Sequence, residues 1–363
     1  MKNKDIFDAL GGVDDRFISE AAPKRTDFKK QKPRSAVRWL TAAACLCIAA
    51  AVFLGYWLIS PARLQKIPLN ADGSSGLGAG AHEIIVRDMS EYITGNPWSA
   101  DMNLKRLPVY KNTQLLSYDD MLDNINKTAE KLGVEIKSVT RETMPDSDWV
   151  VSEDSLYAVR AETDIGLISA FATGGVSINF SEPVAGNGTG RDAAGYFIEK
   201  YSSVIGFKNS VLCVTSGYDV NGAESAEYRV YDGSDGDLKR VKSYNFNSVY
   251  FDINENGGLE SIRISSVDGA RKLGNYPIIS HKEAEKLLLG GEYISGSADG
   301  IENGNITREK IKKVELVYSI DPMDAYFAPY YRFYVELERS PAAGFKCYGE
   351  FDVPAVNSKY IAN

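Results

Sequence analysis

Histidine is nearly absent from this chain: 363 residues include only 2. His82 and His281 each lack a second histidine three or four positions away, and HExxH does not occur, so a zinc hydrolase has almost no ligands to draw on. GxSxG and the phosphate-cradling GxxxxGK[ST] are missing as well, which removes the motif-bearing serine hydrolases and P-loop enzymes. No catalytic, cofactor-binding or metal-ligating residue is assigned, and no cofactor is expected. Cysteine is scarce too, at 4. Cys45 and Cys47 lie in an apolar run, so Cys213 and Cys347 offer one possible pair rather than a disulfide framework, and the fold must rest on its hydrophobic core. Positive charge is in deficit, with 41 Lys and Arg against 49 Asp and Glu. No basic stripe is available to displace counterions from phosphate, so nucleic acid is excluded as a partner.

One long apolar run is present. Residues 39–59 carry no charge over 21 positions, with Trp39 at one end and Tyr56 and Trp57 at the other. At about 1.5 Å per residue such a helix spans roughly 31 Å, the thickness of a bilayer's hydrocarbon core, and aromatic residues suit its two interfaces. Seven cations fall within the fifteen residues before it, Lys24, Arg25, Lys29, Lys30, Lys32, Arg34 and Arg38, whereas Arg63 and Lys66 alone follow within fifteen residues. Cations are retained on the cytoplasmic side, so the amino terminus is expected inside and the bulk of the chain outside. Residues 1–59 hold 10 Lys/Arg and 6 Asp/Glu, leaving 31 and 43 beyond. Ser60, Pro61 and Ala62 raise the alternative of a cleaved signal peptide, but the run exceeds the usual apolar stretch of about 7–15 residues and its leader is too long.

The sequence divides into five parts. Residues 1–38 form a basic cytoplasmic segment in which Phe7, Leu10, Val13, Phe17 and Ile18 mark two short amphipathic helices. These are too short to bury an apolar face alone, so residues 1–23 are expected to dock on a cytoplasmic partner or the bilayer surface. Residues 39–59 form the transmembrane helix. Residues 60–81, rich in Gly and Ser, read as a flexible tether. Residues 82–185 and 186–363 read as two lobes, joined at the glycine-rich stretch Gly186 to Gly190.

Within the lobes, helices are expected from Ser117 to Gly133, over 192–205, and from Ser280 to Gly290, where Ser280 and Glu283 have capping-box spacing. Strands are expected at 134–140, 156–161, 166–171, 176–180, 211–215, 227–231, 241–253, 259–264, 311–320 and 331–337, with a final stretch at 351–354. Runs of strands between single helices favour an α+β fold of mainly antiparallel sheets with a few packed helices, rather than parallel βαβ units.

Three stretches invite a chemical reading. Gly186, Gly188 and Gly190 lack the remaining glycine of a dinucleotide loop and suit a linker better. Asp252, Asn254, Asn256 and Gly257 copy the start of a calcium loop, but its twelfth position is Arg263 rather than glutamate, so a hairpin is the better account. Asp232 to Asp237 takes the same reading. Near the end, six aromatics crowd residues 326–334. In a strand Tyr331, Phe333, Val335 and Leu337 face a core, while Tyr330, Arg332 and Tyr334 face the other way. Tyr326, Tyr330, Arg332 and Tyr334 therefore stand as the candidate partner-binding surface, rigid and amphipathic with one arginine.

The strings Leu107-Pro108-Val109-Tyr110-Lys111-Asn112, Tyr276-Pro277-Ile278-Ile279, Val314-Glu315-Leu316-Val317-Tyr318, Pro329-Tyr330-Tyr331-Arg332-Phe333-Tyr334-Val335-Glu336-Leu337 and Val353-Pro354-Ala355-Val356 resemble single-pass envelope proteins of Gram-positive bacteria. The helix from Ser280 and the strands after it are similar to PepSY-like modules and YycI-type regulators, anchored proteins that restrain a wall-sensing histidine kinase. That likeness covers only the last part of the chain and carries no catalytic motif, so it transfers no functional residue. The long basic cytoplasmic segment departs from the YycI pattern and resembles membrane-bound anti-sigma architecture. The resulting expectation is a non-enzymatic, membrane-anchored regulatory or binding protein whose external domain recognises an envelope protein or ligand. The rival class is an envelope hydrolase built on carboxylates, which acidic residues gathered in a pocket, one with a raised pKa, would favour.

Overall fold

The computed structural model describes residues 64–69, 83–112, 115–143, 156–172, 174–234, 236–267, 270–295, 306–320, 324–338 and 344–362. Residues 1–38, the apolar run 39–59 and His82 lie outside them. Among the described residues no helix is long and apolar enough to cross a membrane. Residues 63–363 form one compact unit.

In chain order the elements are β1 (Ile67–Pro68), β2 (Ile84–Val86), β3 (Arg106–Lys111), α1 (Tyr118–Leu132), β4 (Ile136–Thr143), β5 (Leu156–Thr163), β6 (Gly166–Phe171) and β7 (Val176–Val184). There follow α2 (Gly190–Lys200), α3 (Ser202–Ile205), β8 (Ser210–Tyr218), β9 (Glu224–Asp232), α4 (Asp237–Phe246), β10 (Ser248–Ile253), β11 (Leu259–Ile264) and β12 (Arg271–Pro277). The last are α5 (His281–Leu289), β13 (Ile294–Ser295), β14 (Ile311–Tyr318), β15 (Tyr326–Phe327), β16 (Pro329–Glu336), β17 (Lys346–Pro354) and β18 (Ile361–Ala362). The protein is α+β. An eight-stranded antiparallel sheet runs β4-β5-β6-β7-β11-β10-β9-β8, and a second antiparallel sheet runs β13-β17-β16-β14 with β2 added to β17. A three-stranded sheet, β12-β3-β15, and the short parallel pair β1 and β18 complete the unit.

Local chemistry explains the helix ends. Ser117 Oγ accepts from the Asp120 N–H at 3.2 Å and Asp120 Oδ2 accepts from the Ser117 N–H at 3.1 Å, which satisfies two donors that the first helical turn leaves open. Gly133, at φ 69°, closes α1 in the left-handed conformation that costs glycine little. Ser280 and Glu283 repeat the reciprocal cap at the start of α5. Met121, Ile125 and Ala129 of α1 and Ala193, Ala194 and Phe197 of α2 bury one stripe each in the core that includes Val159, Ile168, Ile178, Val249 and Phe251. A second core joins Ala284 and Leu288 of α5 to Tyr331, Phe333, Val335, Phe351 and Val353 of β16 and β17.

Several expectations need correction. The span 241–253, read as one strand, is the helix α4 followed by β10. Val241, Tyr244 and Phe246 are buried, and Asn247 N–H bonds the Ser243 carbonyl at 2.9 Å, so packing overrides the strand preference of this aromatic stretch. Tyr201 divides the helix expected over 192–205 into α2 and α3. Asp232 to Asp237, in which Asp235 lies outside the described residues, leads from β9 into α4 rather than into a second strand, with Asp232 Oδ1 accepting from Ser234 N–H at 3.1 Å. The boundary drawn between 82–185 and 186–363 falls inside a sheet, because β7 pairs with β11. Part of the expected tether is also built into the fold. Ile67 is fully buried in β1, and Tyr276 Oη donates to the Gln65 carbonyl at 3.0 Å.

The Asp252 to Gly258 stretch is the expected hairpin turn, with Asn254 Oδ1 accepting from the N–H groups of Asn256 and Gly258 at 3.1 and 2.9 Å. Gly257, at φ 80°, packs so closely on the loop before α2 that a Cβ there would lie 2.0 Å from the Gly188 carbonyl oxygen. Close backbone approach thus accounts for these glycines without a bound anion.

Candidate functional site

Strand period and register assemble a block of polar side chains from three neighbouring strands. On β16, Arg332 and Tyr334 share one face, since side chains two apart point the same way. Register sets Arg332 between Glu315 of β14 and Asp352 of β17, and Tyr334 between Lys313 of β14 and Glu350 of β17. The opposite face of these strands is apolar and packs with α5.

The polar block is buried in turn. Across a cavity of about 200 Å³ it meets Glu227 and Arg229 of β9, Tyr244 of α4 and Tyr250 of β10, while Tyr92 and Thr94 close one side. A larger cavity of about 580 Å³ adjoins it, lined by most of the stretch from Asp88 to Trp98 and by Lys312 to Glu315, and the two share Tyr92, Thr94 and Glu315.

Electrostatics within the block is tightly matched. Arg332 Nε and Nη2 donate to the two oxygens of Asp352 at 3.0 and 2.9 Å, and Nη1 reaches Glu350 Oε2 at 2.9 Å. This fork geometry is one that arginine supplies and lysine does not. Glu315 receives the Tyr334 hydroxyl at 2.9 Å, the Lys313 ammonium at 2.8 Å and the Thr94 hydroxyl. Arg229 lies over the Tyr244 and Tyr250 rings at 4.6 and 4.8 Å, with Glu227 3.8 Å from its Nε. Burial opposes the Arg332 charge, but Asp352 and Glu350 outweigh it and hold the guanidinium protonated well beyond its ordinary range. Burial also pushes the Glu350 carboxyl up to about 7; Arg332 opposes this, and Asp352 and Glu315 reinforce it. The phenols of Tyr92, Tyr244 and Tyr334 are raised above their usual value, chiefly by burial.

The candidate surface of Tyr326, Tyr330, Arg332 and Tyr334 is not a surface. Tyr330 and Tyr334 are 3 % and 2 % exposed, and Arg332 is committed to Asp352 and Glu350. Tyr326 is half-buried in a different sheet, paired with Lys111. The row judged outward-facing by strand alternation is covered because both faces of β16 lie under other elements. Glu315, Glu350, Asp352 and Arg229 were not singled out from the sequence. Their signal was there: Glu315 stands between Val314 and Leu316, and Glu350 and Asp352 flank Phe351, charges set into otherwise apolar strands.

Cys213 and Cys347 are both buried and form no disulfide with each other, with Cys213 Sγ 3.7 Å from the Gly95 carbonyl and Cys347 Sγ 3.2 Å from Glu83 Oε2. Burial raises the Cys213 thiol, which keeps it a poor nucleophile. His281 sits at the start of α5 against Trp98, with ring centroids 6.1 Å apart, outside both cavities. Among the described residues, no group of three His, Cys, Asp or Glu side chains is placed to hold a metal ion.

No family model and no curated protein matches the chain. Among solved structures it is similar to an uncharacterized protein from Eubacterium rectale ATCC 33656, with a TM-score of 0.30 and 10 % identity over 70 % of this chain and 84 % of that one.

Proposed function

We propose that the protein is a single-pass, membrane-anchored regulatory or binding protein, amino terminus in the cytoplasm, whose α+β unit lies outside and recognises an envelope protein or ligand. The charge-free run at 39–59 and the seven cations ahead of it support the anchor and its orientation. The observation that carries the recognition role is the pair of adjoining cavities walled by Tyr92, Thr94 and Glu315, where buried charges are held in fixed geometry. Positioned polar groups in a concave site are what selective binding requires. The basic, amphipathic residues 1–38 supply the inward half of an anti-sigma-like signalling architecture, with 1–23 docking on a cytoplasmic partner. Protease added to intact spheroplasts is expected to digest the carboxyl-terminal bulk. Protection until lysis would overturn the topology. Crosslinking from the ectodomain in cells is expected to capture an envelope protein.

One observation favours a second reading, a carboxylate-based envelope hydrolase. Glu350, with its carboxyl near 7 beside Glu315 and Asp352, has the protonation behaviour of a general acid. The two readings part on Glu350→Gln. A hydrolase would lose turnover while keeping substrate binding, whereas a binding protein shows no turnover in either form.

A further inference from the structure

We propose that the larger cavity takes an extended, uncharged peptide segment of the partner, which pairs its backbone with Val314 on the open edge of β14 and seats one apolar side chain beside Trp98. This rests on reading the adjoining cavities as the recognition site and names what the partner presents there.

Among the described residues β14 ends its sheet, with β16 as its one strand neighbour. In an antiparallel pair the N–H and C=O of a residue point to the same side, and the side alternates along the strand. The Leu316 carbonyl accepts from Asn96 Nδ2 at 3.0 Å and the Tyr318 N–H donates to Asn245 Oδ1 at 2.9 Å, so positions 314, 316 and 318 face away from β16. Side chains thus close the far half of this edge. Val314, half-buried in the wall of the larger cavity, is the position before them, and among the described residues nothing bonds its outward N–H or carbonyl. A donor and an acceptor stand where a further strand would meet them. An extended backbone returns an acceptor and a donor at that spacing, which is how strand addition recognises a peptide. The opening is short, because a bulge between Ile311 and Lys313 interrupts the strand on one side of Val314 and Asn96 caps Leu316 on the other. It admits one segment of chain rather than the edge of a second sheet.

The walls fix the side chains. A residue paired with Val314 points its side chain to the face that Val314 occupies, where Trp98 and Leu316 pack with the core under α5. Ile93 lines the same cavity and is 63 % exposed, so an apolar side chain gains cover there. Charge adds nothing to that preference. The cavity wall holds two carboxylates, Asp88 and Glu315, and two ammonium groups, Lys312 and Lys313. Lys313 pairs with Glu315 at 2.8 Å, Lys312 lies 3.2 Å from Glu336, and Asp88 Oδ1 accepts from the N–H and hydroxyl of Ser90 at 3.0 and 2.6 Å. A wall whose charges are already matched favours a neutral segment. Its volume of about 580 Å³ suffices for a few extended residues.

The test is isothermal titration of the full chain in detergent with the capped peptide acetyl-Ser-Thr-Val-Thr-Ser-amide, whose single apolar residue sets one register. The peptide is expected to bind saturably and to slow amide hydrogen exchange in the stretch 311–318. An N-methyl group on its valine removes the donor to the Val314 carbonyl and is expected to weaken binding at least about tenfold, whereas the same group on the following threonine, whose N–H points away from β14, changes it by less than about twofold. Val314→Pro deletes an N–H that makes no ladder bond, a change that edge strands accommodate, and is expected to weaken binding at least about tenfold on protein that circular dichroism shows to be folded. Replacing both threonines of the peptide by glutamate or by lysine is expected not to tighten binding. Absence of saturable heat, equal loss from either N-methyl group, or tighter binding of a charged version overturns the proposal. The N-methyl pair keeps it falsifiable should Val314→Pro fail to fold. Each of these results leaves the spheroplast and crosslinking outcomes untouched, so loss of strand addition is distinguishable from loss of the membrane-anchored binding role.

Discussion

Arg332 shows how much one half-buried side chain can hold. Its guanidinium binds Asp352, which is 3 % exposed, and Glu350 at the same time. Removing it leaves the buried Asp352 carboxylate without its two-pronged partner and takes one cation from Glu350. Arg332→Met is therefore expected to cost about 3–5 kcal/mol in urea denaturation, and adding Asp352→Asn and Glu350→Gln to the same chain should recover a large part of that loss. Glu350 acts in the opposite sense. Its folded value, about 7, lies above the ordinary 4.5, so its contribution to stability is complete below about pH 4.5 and is lost as pH rises through about 7. Glu350→Gln should remove a pH-dependent loss on the order of 2–3 kcal/mol over that window, visible as a flatter plot of melting temperature against pH. An unaltered slope would show that another group titrates there.

At the scale of elements, the turn between β10 and β11 and the loop before α2 act as one contact. Gly257 is at φ 80° and its missing Cβ makes room for the Gly188 carbonyl, so Gly257→Ala meets both a strained backbone and a clash. A loss of about 2–4 kcal/mol is expected in chemical denaturation. An alanine tolerated within about 0.5 kcal/mol would mean that the two loops part easily. The capping boxes of α1 and α5 were legible because each is a local matter of two residues three apart. The α4 error has the reverse cause: residues 241–253 carry strand-forming aromatics throughout, and only burial of Val241, Tyr244 and Phe246 against non-local partners chooses a helix for the first part.

For the molecule as a whole, the strand at Ile67–Pro68 matters most. It pairs in parallel with Ile361–Ala362, some three hundred residues away in sequence, and Ile67 joins a core with Val109, Tyr276, Val317 and Tyr330. A tether would tolerate truncation of that side chain. Ile67→Ala is instead expected to lower the stability of the whole unit by about 2–4 kcal/mol, measured by urea denaturation of the full chain in detergent. The folded unit therefore begins just beyond the apolar run, which shortens the leash that the sequence suggested.

By itself the sequence determined what depends on neighbours along the chain: the α+β class from helices separating runs of strands, the paired caps, the hairpin at Asn254 and the apolar row Tyr331, Phe333 and Val335. Tertiary structure alone decided the rest. Alternation says that Arg332 and Tyr334 point away from Phe333, but not whether water or another sheet lies beyond them. That depends on β9, α4 and β10, about a hundred residues earlier, coming to rest over β14, β16 and β17. The same juxtaposition turns Glu315, Glu350 and Asp352 from ordinary strand charges into a buried site. Electrostatic energies depend on distance and burial, and neither is written in sequence order.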